Sequence, residues 1–426
     1  MPTQKHFSKA STPNVSSTDK LQQLPVDSAY SQKSKRLLSL DALRGFDMFW
    51  IISGEGIFHG FANVVMEKHS LVRNPTDWTL APTKDLSVPE LLAVGISNQL
   101  HHTPWNGFTF YDMIFPLFIF IAGVSMPYSF DKYLNQAEDK SSAKKTIYLS
   151  LLKRTLLLIV LGTVVNGLLQ WRGYENIRFA SVLGRIGLAC FFAALIYLNN
   201  SLQKQILWFT GILIGYWLIM LLVPVPGFGA GVFTPEGNLS GYVDRLLLPG
   251  KLHRTVYDPE GLLSTIPAIT SAMLGIFAGQ FLKSRAHAQK PLHTLISLLA
   301  GGAALLLVGL IWNTVFPINK NMWTSSFVLF AGGWSVLLFA LFYGVIDVAG
   351  YANWSKPFIW IGTNSILIYM AAHGVFNFES TSQFLFGGII NKTEGAWQQV
   401  VLWIGVLAVQ LMILQFLFKK KWFLKI

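Results

Sequence analysis

His102 stands in the string HHTPWNGFTFYDMIFPLFIFIAG, at the mouth of a strongly apolar segment whose first turns carry Asp112. Ionisable side chains at membrane depth are costly to keep and point to function by default. A histidine near its ordinary pKa of about 6.5 suits proton transfer at neutral pH. If the helix begins near Trp105, Asp112 lies about 10 Å below the surface at a rise of about 1.5 Å per residue. Glu55, late in the preceding apolar run, reaches a similar depth. His102, Glu55 and Asp112 could therefore converge. His102 is expected as general base, with a nucleophilic histidine that forms a covalent intermediate as its rival role. Glu55 could orient His102 or bind a cationic acceptor. Each carboxylate could instead be a buried structural acid, protonated or paired with Arg185.

The elements that must position these groups are membrane helices. The chain has 426 residues, 52% of them hydrophobic and only 13% charged, with mean hydropathy +0.45. Apolar runs near spanning length recur along it, too long for the alternating strands of an outer-membrane barrel. The expected fold is all-α and polytopic, with about ten transmembrane helices, near 40–61, 106–129, 147–169, 180–198, 204–223, 261–282, 292–312, 323–346, 357–376 and 397–418. Residues 1–35 read as a disordered cytoplasmic tail, without a removable signal peptide, and 36–426 as one transmembrane domain.

The net charge of +12 does not imply nucleic acid here, because basic residues collect on the cytoplasmic side of membrane proteins. With both termini inside, the basic residues around 33–36, 132–154, 283–290 and 419–421 face the cytoplasm. The polar connections 62–105 and 224–260 then face outward, as does His102. The single cysteine, Cys190, lies in an apolar run and reads as a small packing residue. No His/Cys/Asp cluster has metal-ligand spacing, so no metal is expected, and there is no Gly-rich phosphate loop after a strand.

Other polar residues carry two readings each. Asp41, Arg44 and Asp47 share one helix face, so Arg44 can pair with both acids or touch a cofactor phosphate. Lys153 and Arg154, at the expected start of the third span, set topology or receive phosphates, and Arg185 is a further candidate there. Asp258-Pro259-Glu260 reads as a helix start with Asp258 as N-cap, yet it faces the side where a cationic acceptor would arrive. Asn321 and Trp323 sit at the outer surface, where Trp323 reads as an interfacial belt residue, or the two hold a ligand by hydrogen bonding and stacking. Asn364 must find partners inside its span, and His373 lies near that span's outer end.

Six strings add up in order: SLDALRGFDMFW, HHTPWNGFTFYDMIFPLFIFIAG, VLGRIGLACFF, YDPEGLLSTIPAITSAMLGIFAGQ, PINKNMW and GTNSILIYM. Together, over roughly 36–426, they resemble the heparan-α-glucosaminide N-acetyltransferase family, and its bacterial members within the wider transmembrane acyltransferases. The resemblance implies acetyl-CoA as co-substrate from the cytoplasm. It also implies an amino-sugar or glycan acceptor on the far side and an active histidine at His102 rather than His101. It marks Asp258, Glu260, Asn321, Trp323, Asn364 and His373 as acceptor-side candidates. At Glu55 this chain departs from the family, which has an asparagine there; a glutamate can ionise and an asparagine cannot.

The leading expectation is therefore a membrane acetyltransferase in an inner membrane, with His102 on the periplasmic side. An O-acetyltransferase of an envelope glycan and a non-catalytic glycan or glycolipid transporter are the alternatives. The lipid bilayer is the expected partner, nucleic acid is not, and a homodimer stands open beside a monomer.

Overall fold

A computed structural model describes residues 37–426 apart from 77, 82–84, 171–172, 286–289 and 425–426. The expected tail at 1–35 lies outside the described residues. Residues 38–426 form one unit, and its named elements among the described residues are all helical.

The long helices follow the apolar runs. They are α4 (Phe110–Gln136), α5 (Lys140–Val165), α6 (Val182–Asn199), α7 (Leu202–Leu222), α9 (Leu262–Arg285), α10 (Pro291–Trp312), α11 (Ser325–Phe342, continued by a π turn to Val348) and α15 (Trp397–Lys419). Among the described residues, eight helices are long and apolar enough to cross a membrane. The first and ninth expected spans differ because their helices are interrupted. The first is α1 (Leu38–Phe49), a π turn (Trp50–Gly54) and α2 (Glu55–His69). The ninth breaks into α12 (Lys356–Thr363), α13 (Ser365–Met370) and a π turn (Ala371–Val375). Three further helices, α3 (Val88–Gln99), α8 (Leu239–Leu247) and α14 (Phe378–Ile390), lie outside the ten expected runs.

Two boundaries change the reading of candidate residues. The expected helix start near Trp105 falls instead at Phe110, because Gly107 takes φ +119° and its N–H is fastened to the Ile318 carbonyl at 2.9 Å. Asp112 is thus in the first turn, not about 10 Å down. Helix α5 starts at Lys140, so Lys153 and Arg154 sit about 20 Å along it rather than at its mouth.

The core is α4 against α9. Both carry prolines, Pro116, Pro127 and Pro267, which membrane helices tolerate when neighbours satisfy the freed backbone groups. Small residues let the backbones touch. A Cβ on Gly275 would lie 2.0 Å from the Phe120 carbonyl oxygen, and one on Gly123 2.1 Å from that of Ala272. Helices α1 and α12 meet in the same way, Gly45 against Phe358 and Gly362 against Asp41. The starts of α4, α6, α9 and α11 gather at one end of the bundle, and the loops leading into them carry the candidate site.

Overpacking of such a crossing costs about 1–3 kcal/mol. Gly275→Ala should lower the thermal midpoint in detergent, whereas Gly301→Ala, whose new methyl meets open space, should leave it in place. Equal midpoints for the two variants would contradict the packing described.

Candidate active site

Helix α4 begins with a capping box in which Thr109 and Asp112 satisfy each other's first-turn groups. That box leaves Asp112 Oδ1 free for His102, whose Nδ1 lies 2.8 Å away. Around Oδ2 stand the N–H and hydroxyl of Thr103, at 3.3 and 3.1 Å, and of Thr109, at 3.2 and 3.1 Å. The Asp112 side chain is 1% exposed. This ring of donors at a helix N-terminus complements a carboxylate. A carboxylate only accepts, so Nδ1 of His102 carries the proton and the neutral ring keeps its lone pair on Nε2.

The His102 side chain is half exposed. Its packed side meets the Tyr111 ring at 4.7 Å between centroids, and Lys320 Nζ lies 3.0 Å from both ring nitrogens. Equidistant from the two nitrogens, the ammonium stands over the ring rather than along the in-plane Nε2 lone pair, so that contact is electrostatic more than directional. Burial and the Lys320 charge push the His102 pKa below its ordinary value of 6.5, against the pull of Asp112. Neutral imidazole is therefore the resting form at neutral pH.

Lys320 arrives on the loop between α10 and α11. Asn319 is buried and donates to the Trp105 carbonyl at 2.9 Å and to Asn106 Oδ1 at 3.0 Å, while its own oxygen accepts from Met322 N at 2.9 Å. With the Gly107–Ile318 bond, this clamps PINKNMW onto HHTPWNG. His101 turns away: its ring stacks on His59 at 4.3 Å and meets Arg73 at 3.2 Å.

Glu55 follows the π turn directly. An extra residue in a helical turn rotates what comes after it, and such turns recur at functional sites. Glu55 accepts a hydrogen bond from the Tyr111 hydroxyl, so it reaches His102 through Tyr111. On its other side it faces a cavity of about 500 Å3, lined also by His373, Asn377, Glu379, Trp403 and Gln410. His373 sits on the π turn Ala371–Val375. Its Nδ1 donates to the Tyr369 carbonyl at 3.1 Å, which leaves Nε2 as an acceptor. A separate cavity of about 650 Å3 between α7, α9, α10 and α11 is apolar and touches none of these groups.

Several expected roles change. Asp258 is not the N-cap of α9, which starts at Leu262; Asp244 supplies that function across the chain, accepting from Leu262 N at 2.9 Å. Asp258 is instead held by Arg178, whose Nε and Nη2 donate to its two oxygens at 2.8 and 2.6 Å, and Arg178 also pairs with Glu260. Burial by itself would lower the Arg178 guanidinium, but these two acids hold it above its usual range. Arg185 pairs with neither Asp112 nor Glu55. It is buried, donates to the Gly261 carbonyl and to Ser264, and lies 4.9 Å over the Trp323 ring.

Trp323 is 0% exposed, with φ +52° and its indole N–H on Ser271 at 3.1 Å, so it anchors the core and offers no face to a sugar. Asn364 is committed to the Trp422 carbonyl and the Leu424 N–H, both at 3.0 Å, and staples the C-terminal segment. Arg44 meets Asp41 at 3.5 Å but not Asp47, whose oxygens are buried without a partner. Lys153 lies on the exposed face of α5 with Leu149, Leu152 and Leu156. Asn321 is half-buried next to Lys320. Tyr111, Asn319, Lys320 and Arg178 are the residues that sequence reasoning did not single out for the site. Tyr111 had one signal, its place beside Asp112 at the helix mouth.

Against known proteins, the chain is 30% identical to human (Homo sapiens) heparan-alpha-glucosaminide N-acetyltransferase over 378 residues, covering 76% of this chain and 55% of that protein. It is 28% identical to the mouse (Mus musculus) protein of the same name, covering 76% and 56%. The chain spans about half the length of these relatives. No family model matches. The chain is thus related to the heparan-α-glucosaminide N-acetyltransferases, as its six strings imply.

Removing one partner of a buried ion pair costs about 3–5 kcal/mol, because the other charge stays behind unpaired. Arg178→Met strands the buried Asp258 and should lower the denaturation midpoint accordingly. An unchanged midpoint would contradict the role given to Arg178 in holding this end together.

Proposed function

We propose that this relative of the heparan-α-glucosaminide N-acetyltransferases moves an acetyl group from acetyl-CoA to the amine of a glucosamine-type sugar, with His102 as general base. The observation that carries the reading is the His102–Asp112 pair, set at a helix mouth with the Nε2 lone pair turned away from the carboxylate. An amine attacking a thioester loses a proton as it attacks, the carbonyl oxygen takes up charge, and the thiolate leaves. A neutral imidazole held in one tautomer suits the first of these tasks.

The acceptor's place is argued from charge and size. The cavity beside Glu55 falls in the range of small-ligand pockets, about 300–1,000 Å3; it is not lined by His102, and it is proposed as the entry site where Glu55 and Glu379 draw in a cationic amino sugar before its amine passes Tyr111 to reach His102. Trp403 supplies a ring for a sugar face. Two acids favour an amine over a neutral hydroxyl, which sets N-acetylation ahead of O-acetylation. The donor is proposed to load from the cytoplasmic end and the acceptor from the outer end, periplasmic in an inner membrane. That orientation rests on the distribution of lysine and arginine. Of the four cations first considered for the CoA phosphates, Arg44 remains the best placed, on the cytoplasmic side and 22% exposed.

The test is purified protein with labelled acetyl-CoA and either glucosamine or sugars that carry hydroxyls alone. Transfer to glucosamine is expected; transfer to the hydroxyl sugars alone would favour O-acetylation, and transfer to neither would overturn the reading. His102→Ala should abolish turnover while folding and acetyl-CoA binding persist, and full activity in that variant would reject His102 as base. The pH dependence has a definite sign. The base works only when neutral and its pKa lies below 6.5, so kcat/KM should hold steady as pH falls past 6.5 and decline only below it. A decline centred above 6.5 would contradict the environment described for His102.

A further inference from the structure

We propose that Lys320 is a catalytic residue, whose ammonium group leaves the His102 ring during acetyl transfer and meets the oxyanion that forms on the acetyl carbonyl. The inference rests on the acetyl-transfer reading above and adds a residue to it.

The geometry sets up the exchange. Nζ of Lys320 is 3.0 Å from His102 Nε2, the atom that must accept the proton, and 3.7 Å from Asp112 Oδ1. The side chain is only 12% exposed, and its loop is pinned through Asn319 and Ile318 to the residues next to His102. At rest the ammonium therefore stands over the ring, close enough to disfavour its protonation and to leave the in-plane Nε2 lone pair open to the acceptor.

The acceptor ammonium first gives one proton to solvent; the neutral amine then attacks, which forms the N–carbon bond and sends the carbonyl π pair to oxygen. The amine's proton passes to Nε2, which uses its lone pair and makes the ring under Lys320 cationic. Imidazolium and ammonium then repel, just as a new anion appears a few ångströms away. Oxyanion donors work at about 2.7–3.1 Å from the developing charge, within reach of a short swing of a lysine side chain. Collapse re-forms the C=O bond and breaks C–S, and the departing thiolate takes the proton from His102. The ring is again neutral and Lys320 returns to it. The products are the acetamide, CoA thiol and the proton given to solvent, so atoms and charge balance.

Lys320 supplies two effects at once. Its charge keeps His102 neutral before attack, and its N–H groups serve the oxyanion afterwards. The other charged or titratable groups that face the pair are Asp112 and Tyr111 from α4, Glu260 from the loop before α9 and Arg185 from α6. Burial draws the Lys320 pKa below its ordinary 10.5, with Asp112 and Glu260 opposing.

The experiment compares wild type, Lys320→Met and Lys320→Arg for kcat, KM for glucosamine, acetyl-CoA affinity and pH profile. Loss of a single oxyanion donor lowers kcat by about 10²–10³-fold. Lys320→Met should show a loss of that order with KM and acetyl-CoA affinity little changed, and its acid limb should move to higher pH because the like charge beside His102 is gone. Lys320→Arg should recover much of the rate and carry the alkaline limb upward, since a guanidinium stays charged. Wild-type rates in Lys320→Met would overturn the assignment to Lys320 and leave the acetyl-transfer reading standing. So would a loss of kcat matched by loss of acetyl-CoA affinity, or an acid limb that does not move. Wild-type protein that acetylates no acceptor would overturn both.

Discussion

The hydrogen bond from His102 Nδ1 to Asp112 is the contact on which the rest of the site depends. Its strength comes from where Asp112 sits. As the third residue of α4 it closes the helix's own capping box with one oxygen and holds the imidazole with the other. A charge-assisted bond of this kind is worth about 1.5–3 kcal/mol net. It also selects a tautomer, and the tautomer decides which nitrogen can act. Because the same carboxylate ends the helix and aims the ring, the backbone cannot shift without shifting the chemistry.

Other features hold that contact in place. Two loops from distant parts of the chain are tied edge to edge by Asn319, Trp105, Asn106, Gly107 and Ile318, which brings an ammonium to the histidine. Beside them, Arg178, Asp258, Glu260 and Asp244 bury charge at the head of α9 with every carboxylate paired or bonded to backbone. Below, the α4–α9 crossing is close enough that a methyl group on Gly275 has no room. The π turns at Trp50–Gly54 and Ala371–Val375 act locally: the first re-aims Glu55 and the second presents His373, and both residues face one cavity.

Much of this was legible before any coordinates, and the reasons are physical. Apolar run length tracks bilayer thickness, so an all-α membrane protein and most of its spans could be read directly. The convergence of His102 and Asp112 was legible as an expectation, but from a depth argument that began the helix too early; the contact arises instead because Asp112 lies in the first turn of α4. Run length says nothing about where a helix is interrupted, so the breaks at Trp50–Gly54 and Asn364 were hidden. Helix starts depend on backbone contacts with remote loops, which is why the expected start near Trp105 moved to Phe110 and that at Asp258 to Leu262. Trp323, placed at the outer surface by its string, read as a belt residue or as a stacking platform; only tertiary packing reveals it as an anchor under Arg185. Lys320 reads as an ordinary outward cation until the loop that carries it is seen folded onto His102.

The central claim is that Asp112 makes His102 a competent base by holding its proton on Nδ1. The most direct measurement is the acetyl-transfer rate of Asp112→Asn at saturating acetyl-CoA and glucosamine. An amide can present N–H to the ring in place of an acceptor, which frees the wrong nitrogen. The rate should fall by roughly three orders of magnitude or more while the protein still binds acetyl-CoA. A variant that turns over at the wild-type rate would contradict the account.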